Sequence, residues 1–96
     1  MGNDDFEWDD AKAEGNLAKH GVSFEAACRV FGDVYALDRV DNSMDYGEDR
    51  YLITGLVNDV VLTVAYTERN GRTRLISARK ASKREEQEYH DSQTQA

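Results

Sequence analysis

Val60-Val61-Leu62-Thr63-Val64-Ala65-Tyr66-Thr67-Glu68-Arg69, then Asn70-Gly71, then Arg72-Thr73-Arg74-Leu75-Ile76-Ser77-Ala78-Arg79-Lys80 is the stretch that decides the fold. β-Branched and aromatic residues crowd both runs, and an Asn-Gly pair between such runs is a strong signal for a tight hairpin. Both central residues of a type I′ turn need positive φ, which asparagine and glycine tolerate best. Strands are therefore expected over residues 60–68 and 73–80. Period-2 alternation puts Leu62, Val64 and Tyr66 on one face, and Ile76 and Ala78 on one face of the next strand; helices pack on such a surface. Thr63, Ala65, Thr67, Arg69, Ser77 and Arg79 point the other way. That second face has threonine, serine and arginine where another helical layer would want leucine, so it is expected to be open to solvent or to a partner.

Working outward, residues 51–57 form another strand-like run ending in a turn at Asn58-Asp59, and residues 35–40 a further one, with an acidic loop over 41–49 between them. Upstream, Asp9 is an N-cap for a helix that runs to His20 and ends at Gly21. Phe6 and Trp8 before it form a short strand or a hydrophobic anchor. Ser23 caps a second helix whose Phe24, Ala27, Cys28 and Phe31 stand at i, i+3, i+4 and i+7, one apolar stripe. Downstream, Ser82-Lys83-Arg84-Glu85 is a capping box, which starts a C-terminal helix running to about His90 ahead of a polar tail. The expectation is one α+β domain over residues 1–96: two N-terminal helices, a four-stranded antiparallel sheet and a C-terminal helix.

With 96 residues, 40% hydrophobic and 32% charged, the composition fits a small globular chain with a modest core. Unbroken apolar runs such as Val60-Val61-Leu62 are only a few residues long, so no membrane span is expected. The opening Met1-Gly2-Asn3-Asp4-Asp5 lacks the apolar core of a secretory signal, and one cysteine, Cys28, fits a reducing cytoplasm. Charge is unevenly spread. Residues 1–49 carry 13 acidic and 4 basic side chains, whereas residues 66–84 carry seven arginines and lysines against Glu68 alone. One end of the domain repels anions and the other attracts them.

Two groups of residues resemble a known family. Phe6-Glu7-Trp8-Asp9 with Lys12, Asn16 and Lys19-His20-Gly21-Val22-Ser23-Phe24-Glu25 resembles the opening of the BrnT family of bacterial toxins. Tyr66-Thr67-Glu68-Arg69, then Arg74-Leu75-Ile76-Ser77-Ala78-Arg79-Lys80-Ala81 with Glu85 and Tyr89, resembles its closing half, and Glu48-x-Arg50 a feature ahead of the central strands. The resemblance spans about residues 6–89. It implies a fold similar to RelE ribonuclease toxins, cleavage of RNA with growth arrest, and neutralisation by a BrnA-type antitoxin with a ribbon-helix-helix region. DNA operator contact is implied only through that antitoxin. The acidic N-terminal half leaves an alternative, a non-catalytic antitoxin-binding module that tunes operon autoregulation.

Metal-free RNA cleavage needs a base for the 2′-hydroxyl, an acid for the departing 5′-oxygen and cations for phosphorane-like charge. His20 is the acid/base candidate on residue type; the alternative is that it caps carbonyls at its helix end. Glu68 is a candidate base or His20-orienting group, or else a cross-strand ion pair with Arg72 or Arg74. Arg79, with Thr67 and Ser77 nearby, is suited to hold a phosphate two-pronged, unless it pairs with an N-terminal acid such as Asp9 or Glu7. Candidate substrate contacts are Lys12 and Lys19, with Asn16 between them on one helical face, together with Arg50, Arg69, Arg74 and Lys80. Neither metal-ligand spacing nor a glycine-rich phosphate loop occurs, so no metal or cofactor is expected.

Overall fold

The computed structural model describes residues 5–42, 45 and 47–94. Met1–Asp4, Ser43, Met44, Tyr46 and the last two residues lie outside these, and with them parts of the expected N-terminus, acidic loop and tail. The chain runs β1 (Phe6–Glu7), α1 (Asp10–His20), α2 (Phe24–Cys28), a 3-10 turn (Arg29–Gly32), β2 (Leu37–Val40), β3 (Tyr51–Val57), β4 (Val60–Arg69), β5 (Arg72–Lys80) and α3 (Lys83–Thr94). The sheet has five strands in the order β1-β5-β4-β3-β2. β2 to β5 form the expected antiparallel meander. The fifth strand is a correction: β1 pairs parallel with β5, Phe6 opposite Thr73 and Glu7 opposite Arg74, so the sheet is mixed rather than purely antiparallel. The short strand that was one alternative at Phe6 forms, but two residues carry no sign of its parallel pairing with β5.

Both tight turns follow local chemistry. Asn70 and Gly71 have φ of 55° and 76°, and Asn58 and Asp59 have 49° and 68°, each a left-handed pair as a type I′ turn requires. Asp9 and Ser23 cap their helices through side-chain oxygens, on Lys12 N–H at 3.0 Å and Ala26 N–H at 3.1 Å. The second helix is shorter than the apolar stripe promised. It is α-helical only to Cys28, and the 3-10 turn carries Val30 and Phe31 onward into the core. Gly55 of β3 permits this approach: a Cβ there would stand 3.0 Å from Val30 Cγ1 and 3.2 Å from Ala36 Cβ.

The core lies between α1, α2 and one sheet face, built on Phe24, Ala27, Val30, Ile53, Leu62, Val64, Tyr66, Leu75 and Ala78. Leu75 rather than Ile76 joins Ala78 there. Ala65 pairs with Ser77 but Tyr66 pairs with Leu75, so Ile76 is the extra residue of a β-bulge and the alternation changes phase at that point. Strict period-2 reading of 75–79 therefore misplaced one core residue.

Asn16 couples α1 to the sheet. Its side-chain amide is 7% exposed; Nδ2 donates to the carbonyls of Val22 and Ala78, both at 2.9 Å, and Oδ1 accepts from Ala78 N–H at 3.0 Å. β1 pairs with β5 only at Thr73 and Arg74. Beyond it the amide of Asn16 serves the backbone of β5 as a neighbouring strand would. This removes Asn16 from the expected RNA-lining stripe. Asn16→Ala strands a buried N–H and two carbonyls, so it is expected to cost about 3 kcal/mol, read as a drop in urea midpoint with unchanged m.

Candidate functional site

α3 lies on the second sheet face, which corrects the expectation that this face is open. The capping box forms: Glu85 N–H donates to Ser82 Oγ at 3.1 Å, and Ser82 N–H donates to Glu85 Oε1 at 2.8 Å. The same carboxylate continues inward to the sheet. Thr63 Oγ1 donates to Oε1 at 3.1 Å, and the Thr63 hydroxyl lies 2.9 Å from that of Thr54 on β3. Arg79 Nη1 and Nη2 donate to Oε1 and Oε2 at 2.6 and 3.1 Å, a two-pronged pair, and Arg39 Nη2 of β2 donates to Oε2 at 2.7 Å. One turn on, the Tyr89 hydroxyl donates to Asp33 Oδ2, which also accepts Leu56 N–H at 2.8 Å. Two anchors one helical turn apart thus fix α3 across the sheet.

Electrostatics follow from this arrangement. Burial alone would raise the pKa of Glu85, but the Arg79 fork, the Ser82 N–H and Arg39 outweigh it and hold the carboxyl far below its usual range. With five donors upon it, Glu85 has no free lone pair for proton abstraction. It is a positioning group. Arg79 is held more firmly protonated by its bond to Glu85, against the cost of burial. Its side chain is 40% exposed and that of Arg39 45%, so both side chains reach solvent beside a single carboxylate. The alternative of an ion pair between Arg79 and an N-terminal acid is not what forms; the carboxylate it meets is Glu85. On α3's far anchor, burial and Asp33 push the Tyr89 hydroxyl up to about 12.

A second cationic group lies toward the Asn70-Gly71 end. Glu48 takes Arg50 and Arg69, each at 3.3 Å, and Glu7 takes Arg74 at 2.9 Å with Arg72 at 4.0 Å. Thr67, Arg69, Arg72 and Arg74 share the face of Thr63 and Arg79 by register. Between the two groups the half-buried Leu52, Ala65 and Ser77 form a row across three strands.

The other nominated residues lie apart. His20 sits in the last turn of α1, on the helix-covered side of the sheet, opposite Arg79. Glu68 is exposed near the end of β4, five residues or ~17 Å along the strand from Thr63. Geometry therefore does not gather His20, Glu68 and Arg79 into one constellation. Lys12 and Lys19 are exposed on α1, and Lys80, opposite Leu62, projects to the helix side at the rim. Arg39 was missed. It sits in a strand without distinctive chemistry, and its partner is 46 residues away. Among the described residues no group of three His, Cys, Asp or Glu side chains is placed to hold a metal, and no helix is long and apolar enough to cross a membrane.

The family model described as "Ribonuclease toxin, BrnT, of type II toxin-antitoxin system" matches residues 8–85. The chain belongs to the BrnT family. No curated protein matches it at a significant level. The matched span of this BrnT-family chain runs from Trp8 through Arg39 and Arg79 to Glu85, so it contains the whole carboxylate-centred cluster. Membership brings the type II toxin–antitoxin setting and, with it, an antitoxin as partner.

The lowered pKa of Glu85 sets a pH dependence. A depressed carboxyl stabilises the fold fully above its ordinary value of about 4.5 and loses that contribution as pH falls toward its folded value. At pH 7, Glu85→Gln is expected to cost about 2 kcal/mol, the figure for charge-assisted bonds reduced for the half-exposed arginines. Urea titrations of both proteins should show that gap closing below pH 4.5. A gap constant down to pH 3 contradicts the assigned role.

Proposed function

We infer that this chain is an endoribonuclease toxin that acts on RNA through the second sheet face and is held in check by an antitoxin. The single observation that carries the reading is the pair of half-exposed guanidiniums, Arg39 and Arg79, fixed on one buried carboxylate. Such preorganised donors stabilise charge that grows on a phosphate as the neighbouring 2′-oxygen attacks and the 5′-oxygen departs, leaving a 2′,3′-cyclic phosphate and a 5′-hydroxyl; solvent water takes the 2′-proton and supplies the 5′-proton. Arg79 and Arg39 contact the scissile phosphate, Glu85 positions both, and Arg50, Arg69 and Arg74 follow the flanking backbone. A guanidinium suits this task because its planar fork matches phosphate oxygens. The reading needs no metal ion and gives His20 and Glu68 no part at Arg79. RNA as substrate makes the cytoplasm the place of action, with growth arrest as the outcome. A BrnA-type, ribbon-helix-helix antitoxin would supply any contact with operator DNA. The fold on this reading is RelE-like, a helix-backed sheet whose other face works on RNA beside α3.

One observation favours a second reading, a non-catalytic module: both terminal nitrogens of Arg79 already serve Glu85. Cleavage of RNA by the purified chain in excess chelator separates the two. The expected result is cleavage by the wild type, reduced about 100-fold in Arg79→Ala and Arg39→Ala, with both variants folded by circular dichroism. Arg69→Ala and Arg74→Ala should raise KM more than they lower kcat. Wild-type rates in a folded Arg79→Ala variant remove the cation pair from catalysis. Absence of any cleavage by the wild type leaves the binding module.

A further inference from the structure

Two shallow clefts open on the opposite side of the molecule, where α1 meets α2. One, of about 350 Å³, is lined by Trp8, Ala13 and Phe24 with the carboxylates of Asp10, Glu14 and Glu25. The other, of about 310 Å³, is lined by Val22, Val57, Val60 and Leu62, with Lys80 at its rim. Leu17 borders both and is 51% exposed, and Val60 is 40% exposed. Leu17, an apolar side chain left in water between two clefts that each have apolar walls, marks a contact surface rather than a solvated face.

Charge is sorted around Leu17. At 100° per residue, Asp10, Glu14 and Leu17 share one flank of α1, while Lys12 and Lys19 fall about 180° away. The groove is thus apolar along its floor and acidic along one side. The face bearing Arg39 and Arg79, by contrast, is cationic.

We propose that this groove is the anchoring site for a lysine- and arginine-rich amphipathic segment of the antitoxin, which sets one apolar side chain in each cleft and its cations against Glu14 and Glu25. The proposal rests on the type II toxin reading for the existence of the partner, and charge complementarity selects the kind of segment. A cationic segment is repelled by the arginine face and attracted here, which favours correct docking. Because the groove and the arginine face lie on opposite sides of the sheet, the anchor leaves RNA access open. Inhibition must come from antitoxin chain that extends beyond it.

The test is calorimetric titration of the purified chain with the protein encoded by the adjoining reading frame. Leu17→Arg and the double variant Glu14→Lys/Glu25→Lys are each expected to weaken binding at least tenfold. The double variant should also flatten its dependence on salt. All three positions are exposed, so folding is retained, and RNA cleavage should be unchanged in both variants. Arg39→Ala should bind as tightly as the wild type. Wild-type affinity in both groove variants overturns the proposal, as does a loss confined to Arg39→Ala. A wild-type chain that self-associates through Leu17 in sedimentation equilibrium overturns it too, since the occupant is then a second copy. Binding lost in the groove variants of a chain that cleaves no RNA sinks the ribonuclease reading while leaving this one standing.

Discussion

One carboxylate organises the second half of this structure. Glu85 receives hydrogen bonds from the cap of its own helix, from a threonine on β4, from an arginine on β5 and from an arginine on β2. A buried anion is costly unless donors surround it, and here the donors come from elements that would otherwise repel or ignore one another. Arg39 and Arg79 are like charges, and only the anion between them makes their proximity stable. α3 has little apolar surface of its own, with a charged sequence from Lys83 to Glu88. Its seat on the sheet depends on Glu85 and on Tyr89, which is 1% exposed.

The sheet is consequently packed on two unlike principles. On one side α1 and α2 cover aliphatic and aromatic residues, and Asn16 completes the edge of β5 where β1 stops. On the other side threonines, arginines and a carboxylate replace them. Burial of Thr54 and Thr63 at 1% each is tolerable because their hydroxyls bond to one another and onward to Glu85. The bulge at Ile76 links the two halves. By shifting phase, it lets Leu75 enter the core and still aims Arg79 at the polar side.

Legibility in the sequence followed the range of each interaction. The hairpin at Asn70-Gly71, the caps at Asp9 and Ser23, and the capping box at Ser82 depend on neighbours within a few positions, and all formed as read. A short strand at Phe6 was one alternative, but its parallel pairing with β5 and the bulge were not legible, because two residues carry no period and an inserted residue has no sequence mark. At the site, Arg79 stood out by its place on a face without leucine. Arg39 did not, since only closure of a contact spanning 46 residues reveals its partner. The capping box showed why Glu85 starts a helix but not that its carboxylate reaches the sheet. His20 was singled out by residue type, which says nothing of which side of a sheet a helix will occupy. Folding put it behind the strands.

Pairing with Glu85 shapes what Arg79 can do for a phosphate. A free surface arginine must lose rotamer freedom to bind, at a cost of up to ~2 kcal/mol. Arg79 has already been fixed by folding, and so has Arg39. A guanidinium has five N–H donors; the two-pronged bond to Glu85 uses two of those on Arg79 and the Lys80 carbonyl, 3.4 Å from Nη1, a third, so on the proposed reading a phosphate would meet the two that remain without breaking the pair. The net charge of the trio is one positive unit, enough to attract an RNA backbone but partly screened by the buried anion. Such an arrangement trades raw attraction for fixed geometry. That exchange favours a transition state, whose charge is placed, over a ground state, whose charge is merely present.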